Sequence, residues 1–543
     1  MIRNAFLLGL LAVVLALPFI FRPAPDAMAA ARSDETVVII SPHNEAIRHE
    51  FELGFRRWYR ERTGREVRMD WRLIGGTSEI NRYLEGEYIA SFQNHWTGEL
   101  GRPWSAEVLG AFANGRLPAD ASETAKAARA AFLASNVGSG IDLFFGGGTY
   151  DFITQARAGR LVPLREAGEE TPDWMTEEIV PLKHAGDDYR DAEGRWTGAV
   201  LSSFGIVYNR DAIARLGTPS PRAWADLADP RYIGQVALAD PTKSGSMNKA
   251  FENVVQQQIH RVVGERLATA RFASEEARKA AEQEAVAAGW TEGLKLLQSI
   301  AANARYFTDS AQKVPIDVAA GNCAVGMCID FYGRQQSEAL VRRSGSDRVT
   351  YVSPPGGTVF SVDPIGMLRG APNPRGAKAF VDFVMSPEGQ RLWNQRPGTD
   401  GGPEHYALRR LPVRRDSYEE PGVAERRSDP EENPYSLENP LVYRPEWTAG
   451  LFGELRFILR VMCLDTHPEL VAAWRVVNEA GRPPEAMAAL HDLSAVDYEA
   501  AQGVIKAALR NKDKTVELKL ARELGGIFRA NYARAVELAR AGR

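Results

Sequence analysis

Three places in the sequence put glycine and small hydroxyl side chains where an apolar, strand-like run gives way to a helical pattern. They are Gly75-Gly76-Thr77-Ser78, Gly146-Gly147-Gly148-Thr149 and, after Asp240-Pro241, Thr242-Lys243-Ser244-Gly245-Ser246. At such a junction backbone N–H groups point outward, glycine admits a close ligand, and the helix dipole favours negative charge. A single loop of this kind is equally an ordinary capped helix start. Three in one chain point to a shared oxyanion cradle. Two further positions could face a ligand at the same edge. His43 follows the first strand, where its ring either meets a ligand or caps the helix. Asp330-Phe331-Tyr332 ends a later strand and brings a carboxylate and a phenol to that edge, although Tyr332 also reads as a residue packed at a domain seam.

No motif assigns an enzymatic reaction. The chain lacks G-x-x-x-x-G-K-[ST], H-E-x-x-H and G-x-S-x-G runs, and its eight histidines are scattered. Catalytic groups converging from distant segments would leave no such trace. Cys323 and Cys328 lie five residues apart and Cys463 stands alone, with no ligand-spaced partner for zinc. They read as buried, unlinked thiols rather than a disulfide. No cofactor is called for.

The elements that must hold these loops occupy 543 residues, enough for about two to four domains. With 44% hydrophobic and 25% charged residues the composition is that of a globular protein with a sizeable core. The net charge of −4 gives no footprint for nucleic acid. The first 29 residues read as an export signal. Arg3 precedes the apolar run Ala5–Phe21, and Ala27-Met28-Ala29 supplies a small-x-small cleavage pattern. Cleavage takes away Arg3, Arg22 and Asp26, moving the charge from −4 to −5. If uncleaved, the run would be a membrane anchor; otherwise the protein is expected free in a periplasm.

Beyond the signal, Thr36–Ser41, Glu66–Ile74 and Ile141–Gly146 read as strands alternating with helices, the first helix capped by Ser41 before Pro42. Ala90–Ala119, between the second and third strands, reads as a polar surface insertion. Ala199–Asn209, Gln235–Asp240 and Ala324–Asp330 begin a second α/β series, with a helical region from about Ser246 to Ala304 between the last two. Val349–Leu368 reads as a return path to a strand, followed by one amphipathic helix over Pro374–Trp393. This is the pattern of doubly wound α/β layers. Arg414–Glu446 is charged and proline-marked, an extended wrap, and only helical patterns follow Thr448, with Leu451, Leu455, Ile458 and Met462 on one stripe.

The collinear segments SPHNEAIRHEFELGF, DLFFGGGTYDF, SSFGIVYNRD, WADLADPRYIGQVALADPTKSGS, CIDFYGR and PNPRGAKAFVDFVMSPEGQRLW give the chain a further meaning. From about Thr36 to Asp416 it resembles the extracellular solute-binding proteins of ABC importers, in the branch with ferric-ion, sugar-phosphate and phosphonate binders. The resemblance implies a type 2 periplasmic-binding fold, two α/β lobes that close on a ligand. Lobe one would be residues 36–200 with 362–415 and lobe two 201–361, with crossings near Ser202-Ser203 and Gly356–Val362. A helical extension, 416–543, lies outside the family's usual length. The cleft residues implied are Thr77, Ser78, Gly148, Thr149, Ser203, Ser244, Gly245, Ser246 and Tyr332, to which His43 and Asp330 add themselves by position. Where ferric binders carry two adjacent tyrosines, this chain has Phe331-Tyr332. The expectation is therefore a non-enzymatic binder of a small anionic solute, with a membrane permease and its ATPase as partners. The alternatives are a ferric carrier using Tyr332 with His43 and Asp330, or an anchored sensor or an enzyme on the same fold, the enzyme using His43, Asp330 or Cys328.

Overall fold

The computed structural model describes residues 33–542 except 167, 420–421, 438–439 and 512; the segment 1–29 read as an export signal lies outside the described residues. The elements that position the site begin with β1 (Glu35–Ile40), α1 (Glu45–Thr63), β2 (Val67–Arg72), α2 (Thr77–Asn94), β3 (Leu143–Phe145), α3 (Thr149–Ala158) and β4 (Leu161–Val162). A small hairpin, β5 (Lys183–His184) and β6 (Asp187–Asp188), precedes β7 (Trp196–Ser202). A second series comprises β8 (Phe204–Asn209), β9 (Val236–Ala239), α4 (Gly245–Leu267), α5 (Glu275–Ala302), β10 (Ala304–Thr308), β11 (Val325–Ile329), α6 (Asp330–Ser344) and β12 (Val349–Val352). The chain then returns through β13 (Ser361–Leu368), α7 (Pro374–Met385), α8 (Pro387–Asn394) and β14 (Leu411–Pro412). It ends in helices that include α9 (Phe452–Leu459), α10 (His467–Glu479) and α11 (Lys514–Ala541).

Two sheets result, ordered β2-β1-β3-β13-β7-β14, with β4 beside β13, and β10-β9-β11-β8-β12. Each has three parallel strands followed by an antiparallel one. In both cases the antiparallel strand is the one that the chain delivers from the other sheet. β8 follows β7 through Ser203 alone, and β13 follows β12 through residues 353–360. The crossings are tied side by side: Ser202 pairs with Ser361, and the Phe204 N–H donates to Thr358 Oγ1 at 3.0 Å. This is the two-lobe, type 2 periplasmic-binding arrangement. Strands β7, β8, β9 and β11 are buried along their whole length, as helices on both faces of a sheet require.

Several local expectations need correction. Helix α1 starts at Glu45 and is capped by Asn44, whose Oδ1 accepts from the Ile47 N–H at 3.1 Å; Ser41 Oγ instead accepts from His43 N–H. The cap moves because a free Asn side chain sits nearer the first full turn than the serine before Pro42. Residues 90–119 are not a polar surface insertion, since Trp96 and Phe112 are buried and Phe112 stacks on Phe92 at 4.8 Å. The helical region 246–304 is two helices, and the helix over 374–393 breaks at Ser386, which caps a new turn ahead of Pro387. The three cysteines are buried free thiols.

One contiguous apolar core runs through both lobes and into the terminal helices. Around α1 and α7 it is aromatic: Phe55 meets Phe380 edge-on at 5.0 Å, and each such fully buried ring contributes about 2–3 kcal/mol. Leu451, Leu455, Ile458 and Met462 are all buried in it. Trp474 Nε1 donates to Asn303 Oδ1 at 2.8 Å, and Trp290 Nε1 to the Val496 carbonyl at 3.2 Å, so the terminal helices seat on α5 and the turn after it. Among the described residues no helix is long and apolar enough to cross a membrane.

Candidate functional site

The three glycine-bearing loops meet where the lobes face each other. A Cβ on Gly147 would lie 2.5 Å from Thr77 Cγ2, one on Gly245 would lie 2.9 Å from Thr77 Oγ1, and one on Gly76 would lie 2.8 Å from the Lys243 carbonyl. The N-termini of α2, α3 and α4 therefore converge, with bare glycine backbone letting the second lobe touch the first. Below this junction lies a cavity of about 320 Å³ between the lobes. Its walls include Gly148 and Thr149 at the start of α3 and Gly245 and Ser246 at the start of α4. Gly148 caps α3 without any side-chain acceptor, which leaves first-turn N–H groups for a ligand.

The other expected residues are placed differently. Thr77 packs between Gly147 and Gly245 and, like Ser78, lies outside the cavity lining; Ser78 Oγ receives a 3.4 Å hydrogen bond from Arg456 Nη1. Ser244 caps α4 through the Met247 N–H at 3.2 Å. Ser203 is fully buried at the crossing, its carbonyl accepting from the Asp330 N–H at 3.0 Å, while its neighbours Ser202 and Phe204 line the cavity. His43 lies behind the wall. Its Nε2 is 3.3 Å from Arg410 Nη1 and 3.6 Å from Asp363 Oδ2, and its ring stands edge-on to Phe145 at 4.6 Å. Gly146, at φ 92°, makes room for that ring, which lies 2.6 Å from where a Cβ would be. Burial lowers the His43 pKa below the ordinary imidazole value, opposed by the hydrogen bond to Asp363 and aided by Arg410.

Asp330 and Tyr332 also stand off the cavity, at the first turn of α6. Asp330 is wholly buried and neither of its oxygens makes a well-formed hydrogen bond. Burial pushes its pKa up to about 6 against the opposing charges of Arg334 and Arg410. The Tyr332 phenol is pushed up to about 12, again by burial, and its ring lies against Phe331 at 4.2 Å. Among the described residues no three His, Cys, Asp or Glu side chains converge to hold a metal ion.

The polar groups that do face the cavity include several that the sequence does not announce. Asp151 sits in the first turn of α3, where its Oδ1 accepts from Asn81 Nδ2 at 2.5 Å. Burial raises its pKa, and Arg456 opposes the rise. Lys249 Nζ is 3.1 Å from Glu252 Oε2, 3.7 Å from Asp187 Oδ2 and 3.5 Å above the Tyr443 ring. Burial lowers its pKa, but Asp187 and Glu252 more than compensate and bring it above the ordinary lysine value. Asp363 pairs with Arg410 Nη2 at 2.8 Å; Arg410 is completely buried and also binds Ser202 Oγ. The cavity thus offers two helix N-termini for an oxyanion, carboxylates that can accept from hydroxyl groups, and one buried ammonium.

Residues 137–398 match the family model described as bacterial extracellular solute-binding protein. Among curated proteins, an uncharacterized protein of Haemophilus influenzae is 28% identical over 258 residues, 47% of this chain and 61% of that one. The phosphoglycerate transport regulatory protein PgtC of Salmonella typhimurium is 24% identical over 194 residues, 35% of this chain and 39% of that one. The chain therefore spans less than two thirds of the length of these relatives. Similar solved structures include the periplasmic binding protein AfuA of Actinobacillus pleuropneumoniae, at 16% identity and a TM-score of 0.45 over 82% of this chain and 99% of that one. Iron-bound HitA of Pseudomonas aeruginosa is also 16% identical, with a TM-score of 0.44 over 78% of this chain and 98% of that one. The match to the bacterial extracellular solute-binding protein model thus extends over residues 137–398, just under half the length of the chain.

Proposed function

We propose that this protein is the solute-binding component of an ABC importer. In this reading it captures a compact phosphorylated or similarly oxyanionic organic solute outside the cytoplasmic membrane and passes it, unchanged, to a permease driven by its ATPase. The observation that carries the reading is the opening of two helix N-termini, Gly148-Thr149 from one lobe and Gly245-Ser246 from the other, into one cavity. An anion held between them gains from both dipoles only when the lobes are together, which couples binding to closure. Asp151, Asp187 and Asp363 suit the hydroxyl groups of such a solute, and Lys249 a second charge. The cavity of about 320 Å³ fits a molecule the size of a phosphoglycerate or hexose phosphate. The curated relative named for phosphoglycerate transport is consistent with that class. The lobes are taken as residues 36–200 with 362–415 and 201–361, and residues 416–543 as a wrap and helical extension.

Thermal unfolding of the purified protein against phosphoglycerates, hexose phosphates, phosphonates, carboxylates, polyamines and ferric citrate tests the reading. A ligand at 100 times its Kd stabilises the folded state by about 2.7 kcal/mol, a plain rise in midpoint. A rise with an organic phosphate, phosphonate or carboxylate is expected. A rise confined to ferric citrate, or to polyamines, would overturn the reading.

A further inference from the structure

The cavity has a third wall that neither lobe supplies. Tyr443, Pro445, Ala449, Gly450 and Phe452 line it, and all belong to the extension beyond the two sheets. We propose that this segment is part of the ligand site, an apolar wall that sets the size and the carbon face of the solute accepted. The inference rests on the solute-binding reading above and deepens it.

The docking is written into α4. Asn248, Glu252 and Gln256 recur every fourth residue, a polar stripe that would ordinarily face water, yet all three are at most 1% exposed. Their partners lie in the extension. Asn248 Nδ2 donates to the Phe452 carbonyl at 2.9 Å, and Gln256 Nε2 to the Arg444 carbonyl at 2.8 Å. Glu252 Oε1 accepts from both the Tyr443 hydroxyl at 2.7 Å and Thr448 Oγ1 at 2.6 Å. The extension both covers these groups and satisfies them; losing one partner with the segment still in place would leave the group buried and unpaired, at a cost of about 1–3 kcal/mol. The same segment also grips the first lobe. The Tyr443 N–H donates to the Ala185 carbonyl at 2.8 Å, and the Phe452 ring tilts against Tyr150 at 4.7 Å. Gly186, at φ 83°, is the only residue type that fits there, because a Cβ would lie 1.8 Å from the Tyr443 carbonyl oxygen.

The chemistry of the wall differs from that of the lobes. The lobes carry all the charged groups and helix N-termini of the cavity, beside apolar side chains such as Ile153, Phe204 and Val362, whereas the extension presents only aromatic, proline and small aliphatic surface. A solute that satisfies both has a charged, hydroxylated edge and a C–H face, as a phosphorylated sugar or polyol does. Inorganic phosphate uses only the polar side.

Isothermal titration of the wild-type protein and of Phe452→Ala and Ala449→Leu with inorganic phosphate, 3-phosphoglycerate and glucose 6-phosphate tests the wall, with the ligand-free unfolding midpoint of each variant measured alongside. Truncating Phe452 removes the carbon-face contact, and Leu at 449 fills the cavity from the same wall while keeping the segment apolar. Both are expected to weaken the preferred organic phosphate at least tenfold and inorganic phosphate less than threefold. Weakening of all probes alike, or of none, overturns the wall. Wild-type protein that binds none of the three overturns the organic-phosphate reading instead, and the wall with it.

Discussion

Replacing Asp330 with asparagine separates a structural carboxylate from a ligand-binding one. Asp330 is completely buried, lacks a well-formed hydrogen bond to either oxygen, and lines no part of the interlobe cavity. Burial lifts its pKa from the ordinary 3.8 to about 6, against Arg334 and Arg410. The folded state therefore holds this proton more tightly than the unfolded chain between pH 3.8 and 6, so the group's contribution turns unfavourable as pH rises through that window. Two pH units at about 1.4 kcal/mol each give an upper bound of about 3 kcal/mol of destabilisation at pH 8. Asn has nearly the shape and polarity of the protonated acid. Asp330→Asn is thus expected to stabilise the protein at pH 8 by up to about 3 kcal/mol, with the gain shrinking toward zero near pH 4. Urea unfolding of both proteins at several pH values between 4 and 8, read by tryptophan fluorescence, gives the difference directly. A variant less stable than wild type at pH 8, or one that loses solute binding with no gain in stability, refutes the reasoning.

Three other perturbations have definite outcomes. Arg410→Leu strips the buried partner from Asp363 and from Ser202 Oγ, and breaking a buried ion pair costs about 3–5 kcal/mol, so urea unfolding should show a loss near the lower figure because Asp363 is one-fifth exposed. Burial raises the Asp363 pKa, but Arg410 and His43 bring it below the ordinary value, so its stabilising contribution is present above the ordinary carboxylate pKa and lost as pH falls through the depressed value, and the wild type's advantage over the variant should shrink across that window. Gly76→Ala would place a methyl 2.8 Å from the Lys243 carbonyl of the opposite lobe; small-angle scattering should show a larger radius of gyration and titration a weaker ligand. Gly289→Ala would set a methyl 2.4 Å from Ile259 Cα where α4 and α5 touch, and overpacking of this kind costs about 1–3 kcal/mol in thermal unfolding.

Much of the architecture is legible in the sequence because its causes are local. Apolar runs of four to seven residues, ended by a small or polar residue such as Ser202, Asn209, Asp240 or Asp330, mark strands covered on both faces, and the change of sheet falls at Ser203, within a single run of buried residues. Helix boundaries are less legible where two signals compete, as Ser41 and Asn44 do for α1. The convergence of the Thr77, Gly147-Gly148 and Gly245 loops follows from glycine lacking a Cβ. What closes behind them does not. Arg410 meets His43 across 367 residues of sequence, and nothing local in a leucine- and proline-flanked pair of arginines marks one of them as completely buried. The polar stripe of α4 reads as a water-facing side until the extension is seen to cover it. Its four-residue spacing is the signal that was present, and only the fold says what faces it.

On the proposed function, the interlobe cavity binds a compact organic oxyanion and returns it unaltered. Native mass spectrometry of the protein incubated with an equimolar mixture of phosphoglycerates, hexose phosphates, phosphonates and ferric citrate reads both properties in one experiment. One adduct per chain is expected, of the mass of an organic phosphate or phosphonate, released on unfolding with its mass unchanged. An iron adduct, a chemically altered product, or no adduct at any concentration would contradict it.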